Sequence, residues 1–262
     1  MVKQKVVLSL ALAFLLLSVT TAFSQVAPAT QFYFPQVAVG ESGGAAYETA
    51  YVLINPGSTA AQVTIEFFDD AGSPLSLEFF TVNDDNLGRQ ASVNISVAPN
   101  TTLAMSADNG VLPDRHTCLP LKTGSARVTS SVPIWGLSMF LLHSNCRGYT
   151  TSAVGVPPVT PSQQWTVFAL RESVDVGIAV ANPSDAAMTL TATLFDTAGV
   201  QLAQAPISLV PRGHTAKFTR EMFPNVPPPF VGKIVITAAT PFVMMSLYFD
   251  GTVMTSLPVF QP

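Results

Sequence analysis

The feature that most constrains this chain is that it contains itself twice. Aligned from Asn55 and Asn182 without a gap, Asn55-Pro56 meets Asn182-Pro183, Ala60 meets Ala187, Thr64 meets Thr191, Phe68-Asp69 meets Phe195-Asp196, and Ala71-Gly72 meets Ala198-Gly199. That is 8 identities in 18 positions, where ordinary residue usage gives about one. The offset is 127 residues there, 112 at Pro99/Pro211, and 108 from Gly124/Gly232 through Thr129/Thr237 to Pro133/Pro241. Copy one is therefore longer by 15 residues between Gly72 and Pro99, and by four more further on. Insertions between repeats map to loops, so a loop is expected around Asn83-Asp84-Asp85-Asn86-Leu87-Gly88.

Each copy reads as β-structure. Thr189 to Phe195 alternates, with Leu190, Ala192 and Leu194 on one side and threonines on the other; Val63, Ile65 and Phe67 do the same in copy one, and Val93, Ile95 and Val97 repeat the pattern. Period two with β-branched residues marks a half-buried strand. Asn-Pro ends a strand with extended geometry, and Asp-x-Ala-Gly offers an Asx turn followed by a glycine that tolerates positive φ. Turn residues bound about eight short runs per copy, and no sustained helical stripe appears outside the N-terminal segment. The expectation is an all-β chain: two tandem antiparallel β-sandwich modules of immunoglobulin-like kind, over 31–154 and 165–262, with a barrel as the structural rival. Between them, 155–164 holds Pro157, Pro158 and Pro161. It is expected to be a semi-rigid linker that leaves the angle between modules open.

The N-terminus has Lys3 and Lys5, then an unbroken apolar run from Val6 to Leu17. The run is short for a membrane span, which needs about 20 apolar residues. With Ala22 and Ser24 at minus three and minus one it reads as a secretory signal, residues 1–24, cut before Gln25. The mature chain is then expected to be secreted, periplasmic or at the cell surface, without a transmembrane segment. Loss of Lys3 and Lys5 leaves ten basic residues against 16 acidic ones, a formal charge of minus 6; with no basic stripe, nucleic acid is excluded as a partner. Charged residues make up 11% of the chain, against about 25% in ordinary domains, so the fold must hide much apolar surface or use it.

Cys118 and Cys146 are the two cysteines. In an exported chain they are expected to form a disulfide, worth roughly 3 to 4 kcal/mol on the chain-entropy account. Their counterparts Val226 and Met254 are apolar, as facing core positions would be. Two thiols without a matching His or Cys cluster fall short of a zinc site, and no cofactor is expected.

Gly40-Glu41-Ser42-Gly43-Gly44 fits G-x-S-x-G. As a protease loop, however, it needs His and Asp upstream, and as a hydrolase elbow it needs a following helix where a strand is expected. A glycine-rich turn is the preferred reading, and no catalytic residue is assigned. His116, His143 and His214 have Pro224, Gly251 and Thr102 as counterparts; none recurs, and each is expected on a loop or surface. Asp69, Asp70, Asp84 and Asp85 are candidate calcium ligands, with turn capping preferred. Trp135 and Trp165, with Tyr33, Tyr47, Tyr51, Tyr149 and Tyr248, are candidates for a sugar-stacking face, although large aromatics are mostly buried. Asn94-Ile95-Ser96 and Asn100-Thr101-Thr102 fit the glycosylation pattern, whereas Asn55 and Asn182 are excluded by proline.

The runs Tyr51-Val52-Leu53-Ile54-Asn55-Pro56-Gly57-Ser58, Phe67-Phe68-Asp69-Asp70-Ala71-Gly72-Ser73-Pro74-Leu75 and Gly124-Ser125-Ala126-Arg127-Val128-Thr129-Ser130 with Val132-Pro133 resemble tandem modules of uncharacterised secreted bacterial proteins. More distantly they resemble bacterial adhesion-related immunoglobulin-like domains. Copy two departs from the pattern with Gly232-Lys233-Ile234. The resemblance implies a non-enzymatic role in adhesion, binding or scaffolding, towards a protein or glycan surface. A carbohydrate-binding pair is the alternative, and a serine hydrolase using Ser42 a further one.

Overall fold

A computed structural model describes residues 27–83, 85–108, 119–145, 149–172, 174–251 and 253–262. The strands run β1 (Ala29–Ser42), β2 (Ala45–Asn55), β3 (Ala61–Asp69), β4 (Leu77–Thr81), β5 (Asn86–Gln90), β6 (Ser92–Val97), β7 (Thr101–Asp108), β8 (Lys122–His143) and β9 (Thr150–Val156) in the first half. The second half holds β10 (Ser162–Arg171), β11 (Asp175–Ala181), β12 (Met188–Asp196), β13 (Gln201–Leu209), β14 (His214–Phe218), β15 (Phe230–Phe249), β16 (Met254–Leu257) and β17 (Val259–Phe260). The one described helix is the single turn Thr219–Met222. The chain is all-β, and every ladder between named strands is antiparallel.

The repeat survives into the topology. The first sheet is ordered β5-β4-β7-β2-β1-β8-β3-β6 and the second β13-β12-β15-β10-β11-β14. Equating β1, β2, β3, β6, β7 and β8 with β10, β11, β12, β13, β14 and β15 gives one order, read from opposite ends. What the first half adds at its β7 edge is β4-β5. The 15-residue surplus is thus not the loop that was expected: it is a hairpin whose Leu77 and Phe79 are fully buried.

The long strands β8 and β15 bend each half into a two-layered, sandwich- or barrel-like body. β8 pairs with β3 up to Ser130 and with β2 from Trp135; β15 pairs with β12 up to Ala238 and with β11 from Val243. Pro133 and Pro241 lie between those ladders, where a missing N–H costs no strand pairing. Each body encloses its own core. One runs through the ring sequence Phe34, Tyr51, Phe67 and Phe79, with neighbouring centroids 4.8 to 5.6 Å apart. The other includes Trp165, Leu190, Ile234 and Phe242.

Turn residues recur with the same roles. Asn55 and Asn182 are buried, and the Nδ2 group of Asn55 donates to Thr59 O, Val97 O and Ala98 O, as that of Asn182 donates to Ala186 O and Val210 O. Their Oδ1 atoms accept from Gly57 N and Ser184 N. Gly124 and Gly232 are required by contact: a Cβ on either would lie 2.0 Å from the carbonyl oxygen of Phe68 or Phe195.

Candidate functional site

The residues singled out by sequence do not converge. Asp69 is a turn cap, its Oδ1 accepting from Ala71 N and Ser73 N, as Asp196 accepts from Ala198 N and Val200 N. Asp85 accepts from the Thr81 hydroxyl, and Asp84 lies outside the described residues. Among the described residues no three His, Cys, Asp or Glu side chains are grouped to hold a metal. Cys118, Cys146 and His116 also lie outside them. Ser42 pairs with Ala45 across Gly43 and Gly44, whose φ angles of 64° and 81° make the tight two-residue hairpin turn that right-twisted strands favour. His143 contacts Glu48 at 3.2 Å and the Thr150 hydroxyl at 3.3 Å, on strand positions that line neither described cavity.

The aromatic candidates are dispersed as well. Trp165 is 3% exposed and its indole N–H donates to Phe242 O, so its face cannot stack on a sugar. Trp135 is half-buried and Tyr51 fully buried. Tyr149 is exposed at the start of β9, and Tyr33 is tied into the connection between the halves.

That connection is where the molecule departs most from expectation. β9 extends to Val156 and β10 begins at Ser162, so the free stretch is shorter than 155–164. Val159 within it exchanges both backbone hydrogen bonds with Tyr33, each 3.0 Å. The halves then pack on each other. The Asp69–Gly72 turn sits on the Pro211–His214 turn, with a position for Cβ on Gly72 only 1.9 Å from Pro211 O. The Arg212 guanidinium lies 5.2 Å from the centroid of the Phe68 ring.

At the centre of this contact is His214, which was expected on a loop or surface but is 3% exposed. Its Nδ1 is 2.8 Å from Asp70 Oδ1 and its Nε2 2.8 Å from Gln36 Oε1. The Gln36 amide nitrogen donates to Val37 O, which fixes its oxygen towards the ring. Two oxygens therefore face the two ring nitrogens, so both nitrogens of the buried imidazole are engaged. The hydrogen bond from His214 holds the Asp70 carboxyl below the ordinary aspartate value; partial burial opposes this, and the Thr123 hydroxyl, which also donates to Asp70, adds to it.

Around the latch the contact is apolar. Ala38, Phe140, Leu142, Val154 and Val156 of the first half cluster with Ala179, Met245 and Met254 of the second. On β11, Val176, Ile178 and Val180 face their own core while Ala179 and Ala181 face the first half. Strands covered on both faces read as continuous apolar runs. Val176 to Ala181 and Phe242 to Met245 are such runs, and they are the sequence signal that marks the junction.

The packing is incomplete. A cavity of about 350 Å³ remains between the halves, walled by Tyr47, Phe140, Phe218, Phe249, Met245 and Met254. Its floor is Gly177, Ala179 and Ala216, adjacent positions on β11 and β14 with no side chain beyond Cβ. Gln36 and Thr123 tie it to the His214 latch, and Glu221 lines it too.

No protein-family model matches the chain, and no curated protein matches it. Among solved structures, the β-glucuronidase of Parabacteroides merdae overlaps 85% of this chain at 12% identity with a TM-score of 0.18, and β-glucuronidase 2 of Bacteroides uniformis overlaps 86% at 11% identity with a TM-score of 0.16. The chain spans 28% and 25% of those enzymes' lengths. Superpositions at such scores carry no argument about fold or activity.

Proposed function

We propose that this chain is an exported, non-enzymatic binding or scaffolding protein, built of two immunoglobulin-like β-sandwich modules in tandem and held at a fixed angle. The observation that carries the reading is the docked junction: a His214 imidazole buried between the halves and bonded to the more exposed Asp70, a strand-paired connection at Val159 and an apolar cluster shared by both halves. Such a contact gives two bodies one rigid outline, which suits spacing or presenting surfaces to a partner. Within-chain domain contacts that are small and polar allow relative motion instead. The recurring strand order and the Asn-Pro and Asp-x-Ala-Gly turns support the tandem reading.

The test is chemical crosslinking on cells that make the protein naturally, followed by mass spectrometry of the crosslinked chain. Crosslinks to a defined surface or envelope component are expected, together with a mature N-terminus at Gln25 in the intact mass. Recovery of free monomer alone, or of a chain that retains residues 1–24 in the cytosol, contradicts the proposal.

A further inference from the structure

The cavity between the halves is a binding site in its own right, and we infer that it takes a small, uncharged, ring-containing hydrophobe carrying one hydrogen-bond acceptor. The inference does not rest on the scaffolding role. At about 350 Å³ the space is within the range of small-molecule pockets, and it opens to solvent at Ala216.

The lining selects the ligand. Register partners in a sheet share a face, so Gly177, Ala179 and Ala216 form one smooth shelf across β11 and β14. Phe218 bounds the shelf and stacks with Phe249 at 6.4 Å and 17° between planes. A flat floor beside parallel rings accommodates a flat ring system, and Met245 and Met254 supply adaptable thioether contacts to it.

Charge sets the rest. Lys217 also borders the cavity but is the register partner of Ile178, whose side chain is in the second core, so the lysine projects from the opposite sheet face to Ala216. The latch end carries Asp70 and the rim Glu221, whose Oε2 accepts from Phe218 N. Among the described residues the other cations near the space are engaged, His214 with Asp70 and Arg220 with Asp175 at 3.7 Å, so an anionic head would meet the Glu221 carboxylate and no unengaged cation facing it. Gln36 and Thr123, also on the wall, donate to Val37 O and Asp70, which leaves the Tyr47 hydroxyl as the donor offered to a ligand. That hydroxyl makes no hydrogen bond among the described residues, and burial pushes its pKa up, keeping the proton in place to donate.

The test uses the purified full-length mature protein and Prodan, an uncharged naphthalene ketone whose emission shifts to the blue on leaving water. Saturable binding with a blue shift is expected. Ala216→Trp and, separately, Leu121→Trp should abolish it while leaving the circular dichroism spectrum unchanged; Ala216 is exposed and Leu121 half-buried, so neither substitution enters a fully buried position. Tyr47→Phe should weaken binding about five-fold, the net value of one hydrogen bond. Absence of saturable binding, or unchanged binding in a folded cavity-filled variant, overturns the site. Unchanged binding in Tyr47→Phe overturns the acceptor assignment. Competition by 2-naphthoate equal to that by 2-acetylnaphthalene overturns the requirement for an uncharged ligand. Co-flotation with phosphatidylcholine vesicles that displaces Prodan would make the cavity a membrane contact and overturn it as a small-molecule site.

Discussion

At the residue scale, the clearest comparison is between two glycines that the repeat makes equivalent. Gly72 and Gly199 occupy the same turn with φ of 76° and 82°, and an alanine at either carries the left-handed penalty of about 1 to 2 kcal/mol. At Gly199 that is the whole cost, because the added Cβ meets nothing within 4 Å. At Gly72 it would lie 1.9 Å from Pro211 O, inside the junction. Gly72→Ala is therefore expected to lower the melting temperature substantially more than Gly199→Ala, as thermal unfolding of the two variants will show. The turn chemistry common to both was readable in the sequence because it is local: Asp69 and Asp196 cap residues two and four positions on. His214 was not readable, since its partner Asp70 stands 144 residues away and no short-range pattern announces the pairing. The same pair predicts a pH dependence. The folded Asp70 pKa is depressed below 3.8, so its contribution to stability is complete above that value and disappears as the pH falls through the lower folded pKa. Wild type should melt higher than Asp70→Asn at pH 5 to 7, with the difference closing on acidification; a gap that stays constant to pH 2 would refute the assignment.

At the scale of elements, strand existence was legible and strand purpose was not. Alternation identified β3, β6 and β12 because each has one face in its core and one in solvent. The surplus in the first half was expected as a loop, since Asn83 to Gly88 is rich in turn residues. Of these, Asn86 to Gly88 belong to the exposed arm β5 of the β4-β5 hairpin, while Leu77 and Phe79 on its other arm enter the core. An insertion with a buried phenylalanine is part of the fold and cannot be trimmed as decoration. Phe79, whose ring centroid is 4.8 Å from that of Phe67, should cost about 3 to 5 kcal/mol when replaced by alanine. Leu87, 36% exposed on β5, should cost well under 1 kcal/mol in the same exchange. Urea denaturation of the two variants checks the contrast, and equal losses would mean that the hairpin does not pack as a core element.

At the scale of the whole molecule, the low charge content and the continuous apolar runs have one explanation. Each half has its own core, yet β11 and the end of β15 are covered on both faces, and the second covering comes from the other half. The proline-rich connection was expected to be a semi-rigid linker that leaves the angle between modules open, and composition alone could not tell apolar surface hidden at a junction from apolar surface offered to a partner. Covering both faces couples the stabilities of the halves: exposing the junction costs each the apolar burial supplied by the other. Thermal unfolding of the intact chain should therefore be a single calorimetric transition. Phe140→Asp places a charge among Ala179, Met245 and Met254, where it cannot be hydrated while the halves remain docked. Its effect should be to undock rather than to unfold, because each core retains its own residues. The calorimetric trace should then resolve into two transitions, whereas the conservative Phe140→Leu keeps one. A Phe140→Asp chain that still melts in a single step, at an unchanged temperature, would show that the junction contributes nothing to the coupling of the two halves.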